Sequence, residues 1–192
     1  MTGDDQQTSQ MSPLERDRDL SKVIIELGSG GLDTWRVAGM LPVESLTELG
    51  AESEPSAPGL VNVTITKEKE LWRVQGNLEI AVTLVCSRCL VKYTNTLMVA
   101  VDRFFSIGHD PAEDFGQSEM DTDVVYLECG KFSPLRFAEE EFILVLPMIP
   151  LCADACVGLC QNCGADKNST GCSCPAEKID NPFAILGNMK LS

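Results

Sequence analysis

The feature that most constrains this chain is a stretch of strict alternation. From Trp72 to Cys86, the apolar residues Trp72, Val74, Leu78, Ile80, Val82, Leu84 and Cys86 share one parity, while Arg73, Gln75, Asn77, Glu79 and Thr83 take the other. A period of two held over this length describes a long strand with one face on a core. Gly76, on the apolar parity, predicts a bulge or a bend. A shorter alternation precedes it, with Val61, Val63 and Ile65 against Asn62, Thr64 and Thr66, across the charged turn Lys67-Glu68-Lys69-Glu70. A third run extends from Tyr93 to Ile107, with Tyr93, Leu97, Val99, Val101, Phe105 and Ile107 on one face. Three such runs joined by short turns predict an antiparallel meander.

Other elements are sparser. Val23 to Leu27 is a short apolar run that reads as a strand, and Val124 to Leu127 reads as an edge strand. Ser133 followed by Pro134 is a helix start, because a serine hydroxyl caps exposed amides and proline tolerates the first turn. Leu135, Ala138, Phe142 and Val145 then recur at helical spacing, predicting a helix over 134–146 that covers one sheet face and ends at Pro147 and Pro150. Asn181-Pro182, followed by Phe183, Leu186 and Met189, starts a short terminal helix. The expected fold is α+β: a curved antiparallel sheet with a packed helix and a small C-terminal cysteine-rich zinc knuckle. Three regions are expected. Residues 1–19 form a disordered acidic tail. Residues 20–150 form the α+β body, with a linker at 50–59 and an acidic loop at 108–123. Residues 151–192 hold the knuckle and the terminal helix.

The net charge of −14 excludes a generic duplex binder, which relies on Lys and Arg to neutralise phosphates. It is unevenly spread: −7 in residues 1–57, +2 in 58–106, −7 in 107–130 and −2 in 131–192. No apolar run approaches the roughly 20 residues that span a bilayer. The polar, acidic start resembles neither a secretory signal nor a transit peptide, so a cytoplasmic location is expected, without membrane. There, cysteines serve as metal ligands, catalytic groups or buried thiols more often than as disulfides.

Six of the nine cysteines fall between Cys152 and Cys174. Cys160-Gln-Asn-Cys163-Gly presents two thiolates on a turn whose amides can point at sulfur, and Cys172-Ser-Cys174 completes four, the ligand count of structural zinc. Cys160, Cys163, Cys172 and Cys174 are therefore the predicted ligands, and about one zinc per chain is expected. Cys152, Cys156, Cys86 and Cys89 are additional candidates. Cys86-Ser-Arg-Cys89 and the tail pair could close a second four-thiolate site, or the six tail cysteines could share two ions. For Cys86 on the core face, a buried small thiol is the alternative. An iron–sulfur cluster is also compatible with cysteine-only ligation. A thioredoxin-like pair would need a βαβ context that is not visible. Cys129, alone after an apolar run, reads as a packed thiol.

Catalysis has little to stand on. His109, the single histidine, lies in the acidic loop with no nucleophile close in sequence. The loop carboxylates fit no calcium-binding spacing. Gly28-Ser-Gly-Gly31 lacks the Lys-Ser/Thr continuation of a phosphate loop. Zinc held by four thiolates keeps no open position for water, so it builds structure. The chain reads as a non-enzyme.

Several landmarks recur together: VTLVCSRCLVKY (82–93), LVLPMIPLC (144–152), CVGLCQNCGADKN (156–168), a CSC pair and DNPFAILGNMK (180–190). In that combination, over about residues 20–190, the chain resembles the YceD family, described as large ribosomal RNA subunit accumulation proteins of bacteria and plastids. The resemblance implies a role in accumulating large-subunit ribosomal RNA and in ribosome assembly, with no known reaction. Family members often carry Asn-Leu-Asn after the knuckle glycine; here Ala165-Asp166-Lys167-Asn168 stands instead, and only Asn168 carries over. Some members lack the tail cysteines, which makes the metal a local support.

The expected partners are a large-subunit ribosomal RNA precursor, a basic ribosomal protein, or both. Lys67, Lys69, Arg73, Arg88, Lys92 and Arg103 are the candidate RNA contacts, while the acidic segments would suit a basic protein. Two alternatives stand beside this reading. One is an enzyme, either a thiol redox protein using Cys86 and Cys89 with Arg88 favouring the thiolate, or an RNA-processing hydrolase. The other is a zinc-stapled protein-interaction module.

Overall fold

The computed structural model describes residues 17–28, 31–49, 53–108, 124–169 and 171–174. The meander that alternation predicts is present as β4 (Gly59–Glu68), β5 (Leu71–Val85) and β6 (Lys92–Ile107). Before it in the chain come β1 (Ile25–Glu26), β2 (Thr34–Leu41) and β3 (Ser53–Pro55); after it come β7 (Val124–Leu127), β8 (Lys131–Phe132) and one helix, α1 (Pro134–Val145). The main sheet runs β2-β4-β5-β6-β7, with β3 pairing the far end of β5, and β1 pairs β8 separately. Among the described residues the fold is mostly β with one helix on a curled sheet, as expected of strands this long with their right-handed twist.

Register and burial match the alternation closely, except that Ile107, expected on the core face of the third run, is exposed at the strand end. Val61 pairs Leu78, which pairs Val99; Ile65 pairs Val74. Trp72, Val74, Leu78, Ile80, Val82, Leu84 and Cys86 are all buried, as are Leu97, Val99, Val101 and Phe105. Gly76 is not a bulge: pairing runs unbroken through Asn62–Asn77, Val63–Gly76 and Thr64–Gln75. Its φ of +154° and its closeness to β4 both require glycine, since a Cβ there would lie 2.1 Å from the Asn62 carbonyl oxygen.

The helix begins and ends as its sequence dictates. The Ser133 hydroxyl accepts from the Arg136 amide at 3.4 Å, and Leu146 turns extended before Pro147. Its buried face differs from the expected one. Ala138 and Phe142 are buried, but Leu135 is only partly covered and Val145 is exposed; Phe137 and Glu141 take their places. The cause is an aromatic cluster in which Phe137 packs against Phe105 and Phe132, with ring centroids 5.9 and 5.3 Å away. Glu141 turns inward because Arg103, at the rim of the sheet, meets its carboxylate at 2.7 Å.

Several expectations need correction. The sheet is not antiparallel throughout, because β7 runs parallel to β6. The segment 108–123 between them is long enough for the crossover that parallel neighbours need. Strand β2 has no clean alternation because its second half is covered on both sides: Met40 donates to the Arg18 carbonyl and accepts from the Leu20 amide. That contact also orders Arg18 and Asp19, the end of the tail read as disordered. Inside the segment read as a linker, Ser53–Pro55 pairs Leu84, Thr83 and Val82 of β5. Cys129 is exposed, not packed, because it lies in the turn between β7 and β8. Residues 1–16, His109 with the rest of the acidic loop to 123, and the terminal helix expected from Asn181 lie outside the described residues.

Replacing Gly76 with alanine combines backbone strain with a collision against β4, and is expected to cost about 3 kcal/mol. Chemical denaturation of Gly76→Ala against the parent protein measures it; a change within experimental error would show that β4 and β5 approach less closely.

Candidate metal centres

Eight of the nine cysteines gather into two sets, one of Cys86, Cys89, Cys152 and Cys156, the other of Cys160, Cys163, Cys172 and Cys174. Within each set every sulfur lies within 4.8 Å of the others, and all the cysteines are free thiols. In the first set, Cys86 Sγ is 3.8 Å from Cys156 Sγ, and Cys89 Sγ is 3.6 Å from Cys152 Sγ. A tetrahedron with zinc–sulfur bonds of about 2.3 Å has edges of about 3.8 Å. These separations are far too long for disulfides, yet suit four ligands around one ion.

The two sets rest on turns of the same construction. The Cys86 carbonyl accepts from the Leu90 amide at 2.9 Å, and the Cys160 carbonyl from the Gly164 amide at 2.8 Å. Leu90 and Gly164, each directly after the second cysteine, take left-handed φ of +61° and +71°. In the first turn the Arg88 amide points at Cys86 Sγ, 3.5 Å away. The Cys86 amide donates to the Val91 carbonyl, so this turn closes the β5–β6 hairpin.

The tail reaches that hairpin by backbone pairing. Ser87 donates to Pro150, and Leu159 to Arg88. The Arg88 guanidinium donates to the carbonyls of Asp154 and Cys156, so it holds the tail in place and does not face the thiols. Gly158 permits the approach: its φ is +79°, and a Cβ would stand 2.8 Å from the Arg88 oxygen. Beyond it the chain folds back as a small hairpin, with Cys160 donating to Ala165 and Lys167 to Gly158.

The electrostatics of the two sets match. Backbone amides of Cys152 and Cys89 lower Cys86 to about 6, and those of Cys163 and Asn162 lower Cys160 to about 6. Their neighbours go the other way. Contact with the Cys89 thiol, then burial, pushes Cys152 up to about 12; contact with the Cys163 thiol, then burial, does the same to Cys174. Cys172 is raised by contact with Cys160. Against the pull of the Val91 amide, burial and contact with Cys86 raise Cys89. Each set thus favours one thiolate and resists a second, the behaviour of like charges crowded together without a cation. A bound cation reverses that balance.

The structure therefore brings together all four predicted knuckle cysteines. It divides the six tail thiols between two sets, with Cys152 and Cys156 joining Cys86 and Cys89. The first turn carries the weaker sequence signal because leucine stands where its counterpart has glycine; the usable signal is Cys-x-x-Cys at a strand end.

The candidate RNA contacts do not form one surface. Arg73, on the outer face of β5, makes a two-point contact with Asp102 at 2.8 and 2.7 Å and reaches Glu68. Arg103 points to the opposite face, onto Glu141. Lys92 lies 3.7 Å from Glu54, and Lys67 sits over the Trp72 ring. Lys69 is exposed in the β4–β5 turn.

No helix among the described residues is long and apolar enough to cross a membrane. No solved structure matches the chain. A family model described as "Large ribosomal RNA subunit accumulation protein YceD" matches residues 74–190, from β5 through both cysteine sets. The chain is 24% identical over 156 residues to the chloroplastic "Large ribosomal RNA subunit accumulation protein YCED homolog 1" of Arabidopsis thaliana, covering 69% of this chain and 49% of that relative. It is 27% identical over 125 residues to the "Large ribosomal RNA subunit accumulation protein YceD" of Haemophilus influenzae, covering 64% of this chain and 67% of that relative. Because the family model spans more than half of its residues, this chain belongs to the YceD family.

Proposed function

We propose that this chain is a non-enzymatic factor that supports accumulation of large-subunit ribosomal RNA, and assembly of the large subunit, by binding in the cytoplasm. Zinc on Cys160, Cys163, Cys172 and Cys174 serves as a structural staple. The observation that carries this reading is the closed four-thiol ligand set, which leaves a bound ion no position for water or substrate. Family membership supports the ribosomal role. Among the candidate RNA contacts, Arg73, Lys92 and Arg103 each face a carboxylate, and Arg88 is engaged by carbonyls. They offer little charge to phosphates. The acidity concentrated in 1–57 and 107–130 favours a basic protein of the ribosome as the direct contact, with the RNA precursor retained through it.

Depletion of the protein is expected to lower the ratio of large- to small-subunit RNA, and the protein to comigrate with large-subunit precursors in gradients. An unchanged ratio together with absence from those fractions would overturn the proposal. A thiol-redox reading instead requires Cys86 and Cys89 to react freely in native protein while a chelator-sensitive metal protects the tail.

Metal binding should weaken on acidification. Cys172 and Cys174 are raised and so hold their protons at neutral pH without metal; an ion must displace them, releasing at least two protons as it binds. Lowering the pH from 8 to 6 should thus cut the apparent affinity steeply, about a hundredfold per pH unit for two protons released. Competition titrations with a calibrated chelator read this directly. Cys163→Ser is expected to loosen the tail beyond Gly158 while the meander keeps its strand content by circular dichroism, since that sheet has its own core.

A further inference from the structure

We propose that Cys86, Cys89, Cys152 and Cys156 bind a second zinc, separate from the knuckle, which pins the β5–β6 turn to the tail, and that the Asn168 side chain ties the two sites together.

Three observations carry this. The first is the sulfur geometry, with two edges of 3.6 and 3.8 Å and no pair beyond 4.8 Å. Thiols buried simply as small apolar groups have no reason to converge four together within 4.8 Å. The second is burial: Cys86, Cys89 and Cys156 are 0, 5 and 4% exposed and form a small cluster of their own with Tyr93, Leu151 and Leu159. The third is that N–H donors point at the sulfurs, the Arg88 amide at Cys86 and the Asn168 amide group at Cys156. Donors of this kind favour thiolates and orient them, as outer partners do around metal ligands.

The site differs from the knuckle in what it joins. Its ligands lie 63 and 70 residues apart along the chain, so a metal here closes a long loop. The knuckle closes a short one. Restricting a long loop removes more freedom from the unfolded chain.

Asn168 is the link. It lies in the loop between Cys163 and Cys172, yet its Nδ2 donates to Cys156 Sγ at 3.4 Å and its Oδ1 accepts from the Val157 amide at 2.8 Å. A second Nδ2 contact, 2.7 Å to Asp166 Oδ1, sets its orientation. A side chain placed by the knuckle loop therefore supports a ligand of the other site. Asn168 is a positioning residue, not a ligand.

Native mass spectrometry of the full chain, purified with zinc and without heating, is expected to find two zinc ions per chain. Cys89→Ser and Cys163→Ser should each retain one. Asn168→Ala should retain both at saturating zinc, but surrender one of them to a chelator about tenfold faster than the parent, as loss of an outer partner does. That accelerated loss should disappear in Cys89→Ser, where the supported site is already empty. Cobalt titration of the unaltered chain covers the case in which Cys89→Ser fails to fold: thiolate-to-cobalt absorption should grow to two equivalents. Saturation at one equivalent that Cys163→Ser abolishes, two zinc ions retained by Cys89→Ser, or iron with acid-labile sulfide would each overturn the second site. A single zinc lost in Cys89→Ser but kept in Cys163→Ser would overturn the knuckle reading instead. Unchanged zinc release from Asn168→Ala would overturn the link.

Discussion

The β5–β6 hairpin is the constraint on which both ends of this structure depend. Its unbroken register, from Trp72–Phe105 to Val85–Lys92, carries one continuous apolar face. At the Phe105 end that face receives β8 and α1 through the Phe105–Phe132–Phe137 cluster, and Arg103 anchors the helix through Glu141. At the other end the hairpin closes in the Cys86–Val91 turn, where two thiols emerge beside the core. The same alternation that buries Trp72 and Leu84 delivers Cys86 to the buried side. A shift of one residue would turn Cys86 to the opposite face and undo both ends at once.

This explains which parts were legible in the sequence. Elements whose burial is one-sided announce themselves by period, so β4, β5 and β6 could be read almost to the residue. Strand β2 could not, since backbone contact with Arg18 and Leu20 covers a second side of it and erases the alternation. Strand β1 lies inside the legible apolar run from Val23 to Leu27, but its partner β8 does not announce itself, and local pattern holds no trace of their pairing. Helix α1 was legible at its ends, where Ser133 and Pro147 act locally. Its buried face was not, because Phe137 is drawn inward by aromatic partners on other elements. The convergence of Cys160, Cys163, Cys172 and Cys174 could be read because the four thiols are close in sequence. The partition of Cys152 and Cys156 could not, because it depends on the tail reaching the hairpin turn through the pairing of Ser87 with Pro150 and of Leu159 with Arg88.

The charge distribution takes on a different meaning once the side chains are placed. Residues 58–106 carry a net +2, which in sequence suggests a surface for phosphate. In space, Arg73 and Arg103 face opposite sides of the sheet, and each is matched by an acid: Asp102 beside Arg73, Glu141 beneath Arg103. A two-point guanidinium–carboxylate contact fixes side chains that a nucleic-acid surface would need to offer outward. Both arginines are thus engaged by acids of the protein itself. The concentration of carboxylates in 1–57 and 107–130 is the larger electrostatic feature of the sequence.

Arg88 shows how closely the fold and the first cysteine set are joined. Between two cysteines it invites the reading of a cation that activates a thiol. Its guanidinium instead spans the carbonyls of Asp154 and Cys156, while its own carbonyl accepts from Leu159 and its amide faces Cys86 Sγ. One residue thus joins the hairpin turn to the tail through side chain and backbone together. Amide donors lower Cys86 without help from that charge, as they lower Cys160 in the second turn, where no arginine stands between the cysteines. The favoured thiolate at Cys160 is thus set by its own turn, whereas Cys86 takes its largest support from the Cys152 amide of the tail and then from the Cys89 amide of its turn. A sulfur poised in this way among three other thiols is prepared to receive a cation, and the tail that supplies two of those thiols is held in place by the residue lying between the other two.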